Sequence, residues 1–283
     1  MMQVLITGAG SYIGSHIAAH LGVEPERFTV RELDVCSGVD ETAFDGCDAV
    51  IHVAGIAHQK ETAENASLYR TVNRDLAVQV ARIAKDRGVK QLVFFSSMSV
   101  YGMTTGRITS DTQPSPNTHY GVSKWEAEQE MAGLNDAQFH IAVLRPPMIY
   151  GRGCRGNYPR LSALAQSLPL FPYVDNARSM LHIDVLCDFV KQLLLSGEGG
   201  LYFPQNRDYV STCALVREAA RCHGTRIVMV PGFGWLIRLA AKRVGVVSKV
   251  FGSLTYDQNM SRAFHSDDEP TFEETIRRTE VGR

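Results

Sequence analysis

No apolar run in the 283-residue sequence reaches the roughly 18 residues that a membrane-spanning helix needs, so no membrane span is expected. Charge of either sign is not in excess: 29 Lys+Arg face 30 Asp+Glu, for a net charge of −1. Without a basic surplus there is no electrostatic case for binding a nucleic acid. The six cysteines (Cys36, Cys47, Cys154, Cys187, Cys213, Cys222) contain no Cys-x-x-Cys and are widely spaced. They are expected to be free thiols in a reducing compartment, neither a disulfide frame nor a zinc site. The nine histidines are scattered, with no His/Asp/Glu cluster at ligand spacing, so no metal is expected. The N-terminus enters an apolar strand-like run directly, with no basic segment ahead of a long apolar one. No secretory signal is expected, and the compartment is expected to be the cytoplasm. Internal repeats and low-complexity segments are also missing. A composition of 45% hydrophobic and 21% charged residues fits a soluble globular enzyme with a sizeable core.

The first half alternates two periods. Short apolar runs at 4–7, 28–30, 49–53, 92–95 and 141–144 read as strands. Between them, residues 12–21 place Ile13, Ile17, Ala18 and Leu21 on one helical face. Residues 66–87 do the same with Tyr69, Val72, Leu76, Val80 and Ile83, and Gly88 is placed to end that helix. A further helix is expected at about 120–134. Strands alternating with helices indicate an α/β fold whose parallel sheet is covered on both faces. Beyond Arg145 proline and glycine become frequent and the alternation fades, so residues 151–283 are expected to form mainly a second, smaller lobe after a first domain at 1–150. A helix-like stretch at 183–196 is expected to return to the first domain, within a segment near 179–197. Residues 233–251, with Trp235, Leu236, Leu239, Lys242 and Arg243, read as a helix of the small lobe; a membrane-surface helix is the alternative.

The first strand runs into Thr7-Gly8-Ala9-Gly10-Ser11-Tyr12-Ile13-Gly14, followed by a helix. Glycines let such a turn approach a pyrophosphate, and the helix N-terminus presents N–H groups and a positive dipole end. Dinucleotide-binding folds often place an acid about 20 residues beyond the turn to bond the adenosine ribose. Asp34 stands there; Glu32 is a rival, and Arg31 an alternative that would hold a 2′-phosphate. Further on, Tyr120 and Lys124 share a helical face in Tyr120-Gly-Val-Ser-Lys124. An ammonium beside a phenol favours phenolate, which makes tyrosine usable as a general acid/base.

Taken with His52-Val53-Ala54-Gly55, Asn73, Phe95-Ser-Ser-Met-Ser-Val-Tyr-Gly102 and Arg145-Pro-Pro-Met-Ile-Tyr-Gly151, these motifs resemble those of extended short-chain dehydrogenases/reductases, NAD-dependent epimerase/dehydratase type. Within them the chain is most similar to the UDP-glucose 4-epimerase-like group. The family's middle turn glycine is Ser11 here, with Gly10 one place earlier. The resemblance implies a Rossmann-type doubly wound sheet with a C-terminal α/β substrate lobe. It implies NAD, with NADP not excluded, held by Gly8, Gly10, Ser11, Tyr12, Ile13, Gly14, Asp34, Val35, Val53, Ala54, Gly55, Asn73, Tyr120, Lys124 and Pro147. Ser97 would bond the reacting sugar oxygen with Ser99 assisting, Tyr120 would move its proton, and Lys124 would bond the nicotinamide ribose. Asn157 and Arg178 would take the nucleotide and diphosphate. Ser179 replaces the usual aspartate after that arginine. Lys249 and Arg262 are candidates for a second phosphate-binding cation, and His58 and His119 for approach to the substrate.

The implied partner is a nucleotide-diphosphate sugar and the implied setting surface polysaccharide synthesis; a homodimer through the helices at 66–87 and 118–134 is implied by resemblance alone. Family 4,6-dehydratases carry an Asp-Glu pair where this chain has Met98 and Ser99, which disfavours dehydration. The expected activity is an NAD-dependent UDP-hexose 4-epimerase acting through a 4-keto intermediate. The alternative is an NAD(P)H-dependent 4-keto-sugar reductase, and a third reading is a non-catalytic cofactor-sensing protein. The compressed stretch between Gly14 and Asp34 is where a strand–helix unit is expected to be trimmed.

Overall fold

The computed structural model describes residues 1–57, 59–233, 250–264 and 268–282. Two compact units emerge. The first comprises Met1–Gly102, Gln113–Pro147 and Leu186–Pro204; the second comprises Met103–Thr112, Met148–Val185 and Gln205–Arg283.

The first unit is built on six parallel strands: β1 (Met2–Thr7), β2 (Phe28–Leu33), β3 (Ala49–His52), β4 (Gln91–Phe95), β6 (His140–Leu144) and β10 (Gly200–Tyr202), in the order β10-β6-β4-β3-β1-β2. The four central apolar runs are buried on both faces, as a parallel sheet requires. Helix α1 (Tyr12–Leu21) follows β1 and buries Ile17 and Leu21. The long helical run before β4 consists of α2 (Ala66–Arg70), a π-helical turn (Thr71–Asp75) and α3 (Leu76–Asp86); Gly88, at φ +76°, ends it. Helix α4 (His119–Ala132) precedes β6. Leu5, Val50, Leu92, Phe94, Val80, Ala127 and Met131 pack into one core from β1, β3, β4, α3 and α4. Each large apolar side chain removed from water there contributes about 1.5–3 kcal/mol before entropy is set against it.

The strand order reverses between β1 and β3, so a crevice opens past the C-terminal ends of these two strands. The shortening lies elsewhere than the motif spacing suggests. Between Gly14 and Asp34 the structure has an intact helix and strand. The connection from β2 to β3 carries only the 3₁₀ turn Glu41–Phe44, leaving β2 as the outer strand.

The second unit is made of short pieces: β5 (Gly106–Ile108) pairs with β12 (Leu254–Tyr256), β7 (Met148–Tyr150) with β9 (Met180–His182), and β8 (Leu170–Pro172) with β11 (Val228–Val230). Helices α5 (Asn157–Ser167), α7 (Thr212–Cys222) and α8 (Phe272–Glu280) cover them, while α6 (Ile183–Ser196) leads back into the first unit. The Glu280 carboxylate of α8 accepts hydrogen bonds from Tyr158 (2.7 Å) and Ser162 (2.8 Å) on α5, and pairs with His223 after α7 at 2.8 Å. Among the described residues no helix is long and apolar enough to cross a membrane. Most of the 233–251 segment, including Trp235, Leu236, Leu239, Lys242 and Arg243, lies outside the described residues, as do His58 and Lys249.

Candidate active site

The glycine turn and the loop after β3 meet at the sheet's reversal point. Val53 and Ala54 both donate their N–H to the Thr7 carbonyl, at 3.1 and 3.0 Å. Gly8 adopts φ +108°, and a Cβ there would lie 2.8 Å from Ala54 N, so only glycine fits. A Cβ on Gly14 would press on Ser11 Oγ at 2.8 Å and Val53 Cγ2 at 3.1 Å. Gly10 also has a positive φ, +70°, but faces open space. Ser11 has an ordinary extended backbone and caps α1, its hydroxyl accepting the Gly14 N–H at 3.2 Å. Serine therefore suits a position where the family has glycine. Tyr12 and Ile13 form the first helical turn, whose N–H groups point out of the helix end. This bare, amide-rich cradle fits a dinucleotide pyrophosphate.

Asp34 stands one residue beyond β2, next to the turn, because Gly8 and Ala9 donate to the Leu33 carbonyl at 2.9 and 3.3 Å. Its carboxylate accepts the Cys36 N–H at 2.9 Å, which holds its pKa below the usual range and keeps it ionised. Val35 beside it is buried. Arg31 is engaged elsewhere: its guanidinium donates to Ala43 O at 3.0 Å and Asp45 O at 3.4 Å and lies 3.0 Å from Cys47 Sγ.

The chemistry-bearing side chains converge beside this cradle. Ser97 follows β4, and its hydroxyl stands near the Tyr120 phenol, close enough to lower its pKa. Ser99 donates its N–H to Ser97 Oγ at 3.1 Å, and its carbonyl would lie 2.7 Å from a Cβ on Gly121, so α4 seats closely on this turn. Burial raises the Tyr120 phenol above its ordinary pKa; the Ser97 hydroxyl opposes this, and nearby Tyr69 adds to it. Lys124, one turn along α4, is 4% exposed, with Nζ 4.8 Å from the Phe94 ring centre. Burial pulls its pKa down to about 8, partly offset by Glu128 one further turn along. Pro147 is buried after β6, where Met98 N–H bonds the neighbouring Pro146 carbonyl at 3.0 Å.

Asn73 occupies the π-helical turn and is fully buried. Its amide accepts from Ile56 N at 2.8 Å and donates to Ile56 O at 3.1 Å and Ser123 Oγ at 3.3 Å; Ser123 in turn donates to the Tyr120 carbonyl at 2.9 Å. Asn73 thus ties the loop after β3 to the helix of Tyr120. A Cβ on Gly55 would fall 2.8 Å from Asn73 Oδ1 and 3.4 Å from Lys124 Nζ. Because Asn73 is fixed by three hydrogen bonds, it cannot give way. Gly55→Ala is therefore expected to cost about 1–3 kcal/mol of stability and to weaken dinucleotide binding, both read from thermal melts with and without NAD.

Several participants escaped the motif reading. His52, fully buried, has Nδ1 2.7 Å from Thr7 Oγ1, stacks 6.1 Å from Phe94, and is driven down to a pKa of about 3 by burial and by Lys124. It is a neutral floor beneath the ammonium. Glu128 and Arg145 form a buried ion pair, each side chain 5% exposed. Arg145 Nε lies 3.1 Å from both carboxylate oxygens, its NH2 reaches Oε2 at 2.5 Å, and its NH1 donates to Tyr101 Oη at 2.8 Å; the Ser96 hydroxyl also bonds Glu128. Glu61 reaches from the loop after β3 to accept the His119 and Tyr120 N–H groups, at 2.8 and 3.2 Å. A signal existed for Glu128, which repeats the Tyr120–Lys124 spacing.

In the second unit, Asn157 and Arg178 line one small crevice with Met148, Leu161, Met180 and Thr212. Arg178 NH1 donates to Gly252 O at 2.7 Å, and burial lowers its pKa. Ser179 donates to Gln205 and accepts from Tyr256 N at 2.8 Å. Arg262 is exposed and does not line the crevice; His119, at the start of α4, is exposed as well. No cluster of three metal-ligating side chains occurs among the described residues.

Known proteins resemble this chain in sequence and in fold. The chain is 27% identical over 285 residues to UDP-glucose 4-epimerase of Vibrio cholerae, covering 90% of this chain and 87% of that one. UDP-glucuronic acid 4-epimerase from Bacillus cereus, solved with NAD, superposes with a TM-score of 0.78 at 18% identity, over 99% of this chain and 96% of that one. A dTDP-4-dehydrorhamnose reductase from Clostridium acetobutylicum gives 0.76 at 19%, over 98% and 97%. A family model matches residues 4–200, and the chain belongs to the NAD dependent epimerase/dehydratase family.

Proposed function

We propose that this chain is an NAD-dependent nucleotide-sugar 4-epimerase acting on a UDP-hexose. The observation that carries the reading is the convergence of Ser97, Tyr120 and Lys124 beside a glycine cradle shaped for a pyrophosphate. The cradle from Gly8 to Gly14, with Val53–Gly55, would hold the cofactor, and Asp34 its adenosine ribose. An ionised Asp34 repels a 2′-phosphate, and Arg31 is committed to the 43–47 loop, so NAD is favoured over NADP.

Bound NAD would supply hydride acceptance and return at sugar C4. Tyr120 takes the C4 hydroxyl proton as the ketone forms and gives it back to the same oxygen after hydride returns to the opposite face. Ser97 bonds that oxygen and fixes its distance from the phenol. Lys124 supplies positive charge that favours phenolate and would bond the nicotinamide ribose. Asn157 and Arg178 of the second unit would take the nucleotide diphosphate, for which a guanidinium fork is suited.

The test is direct. The purified chain, given UDP-glucose, UDP-N-acetylglucosamine or UDP-glucuronic acid without added cofactor, is expected to invert C4 and to retain nicotinamide through purification. Stoichiometric consumption of NAD(P)H with a 4-keto sugar, and no inversion, would assign a reductase and overturn the epimerase.

A further inference from the structure

We infer that Glu61 is a positioning residue for Tyr120, latching the loop after β3 to the first turn of α4; this rests on Tyr120 being the acid/base proposed above. A helix begins with N–H groups that have no partner inside it. In α4 the Thr118 hydroxyl takes the Gly121 N–H at 3.0 Å, as an ordinary cap does. The His119 and Tyr120 amides go to the two oxygens of one carboxylate, Glu61 Oε2 and Oε1, from a loop 58 residues earlier in sequence. The Thr118 hydroxyl serves only the Gly121 amide, so the first two amides of α4 take their partner from a distant loop.

The loop concerned is the one that starts with Val53, Ala54 and Gly55 and is pinned at Ile56 by Asn73. Glu61 therefore closes a second link between the cofactor loop and the helix of Tyr120, at the helix end, while Asn73 and Ser123 make the first from inside. The two links fix both the height and the rotation of the Tyr120 backbone. The carboxylate also covers the positive end of the α4 dipole, which would otherwise favour phenolate. The groups that act on the phenol are Tyr69 from α2, which raises its pKa, and the Ser97 hydroxyl, which lowers it; Glu61 acts in turn on Tyr69.

Two substitutions separate geometry from charge. Glu61→Ala removes both acceptors; Glu61→Gln keeps one acceptor oxygen and removes the charge. Turnover of UDP-glucose is expected to fall about tenfold or more in Glu61→Ala, because small misplacements of a reacting group are costly, with partial recovery in Glu61→Gln. Hydrogen exchange at the His119 and Tyr120 amides should accelerate in Glu61→Ala. Tyr120 ionisation, followed as the near-ultraviolet difference from Tyr120→Phe, should move down by a few tenths of a pH unit in both variants. A purely structural cap would not produce that shared shift. Wild-type exchange and an unmoved Tyr120 titration in both variants would overturn the inference. If Tyr120→Phe keeps wild-type turnover, the catalytic reading has failed and this inference falls with it. If Tyr120→Phe is inactive and Glu61→Ala keeps full turnover, only the Glu61 inference fails.

Discussion

Tyr120→Phe is expected to reduce turnover by about a hundred- to ten-thousand-fold, the usual contribution of a general acid/base, with dinucleotide binding retained. The substitution removes one oxygen and leaves the ring, so the packing of α4 is preserved. What is lost is the hydroxyl that stands by Ser97, one helical turn from Lys124 in sequence. The pH dependence has a definite sign. Burial holds the phenol above its ordinary pKa, so the rate should climb as pH rises and Tyr120 sheds its proton. The residual rate of Tyr120→Phe should lack this ascending limb. Steady-state kinetics across pH, with NAD binding measured by fluorescence, checks both parts; unchanged turnover removes the phenol from the reaction.

Glu128→Ala is expected to destabilise the protein by about 3–5 kcal/mol, the effect of leaving one member of a buried ion pair alone. Arg145 would keep its charge in a site where its side chain is 5% exposed, between the Tyr101 and Trp125 rings. Ser96 would lose its carboxylate partner too. The melting midpoint should fall by about ten degrees. Replacing both members with apolar residues, Glu128→Leu with Arg145→Met, should recover much of that loss, since the pair's desolvation is itself costly. Calorimetry on the two single variants and the double variant tests this. A double variant less stable than either single one would show that the pair is not the unit of stability. Glu128→Ala should also lower the Lys124 pKa further, because the carboxylate now supports the ammonium.

The first unit was readable because its strands are continuous apolar runs. Val4-Leu5-Ile6 and Leu92-Val93-Phe94 are buried on both faces, and such runs announce a parallel sheet without alternation. The glycine turn and the Tyr120–Lys124 pair were legible because each is local: a few residues carry the whole geometry. The second unit was not. Its strands are three residues long, too short to display a period of two, and each pairs with a distant segment, as Leu254 does with Gly106. Helix α7 went unread although Leu215, Val216, Ala219 and Ala220 mark its buried face. The π-helical turn is silent in the pattern, since Tyr69, Leu76 and Val80 stay inward on either side of it. Its only mark is Asn73, a polar residue buried in an apolar stripe. Glu61 carries no signal, because nothing near it in sequence names its partners.

The sheet's far edge has a consequence for how the chain must be made. Strand β10 pairs with β6, and Gln91 donates its side-chain amide to Leu193 O at 3.0 Å and Glu198 O at 2.8 Å. All of residues 148–185, which belong to the other unit, are synthesised between β6 and its partner. During translation β6 therefore waits as an open edge, a template for mispairing, until residue 202 has left the ribosome. A fragment ending at 150 would keep that edge permanently. The first unit thus begins the sequence but cannot close its sheet until a long stretch of the other unit has already been made.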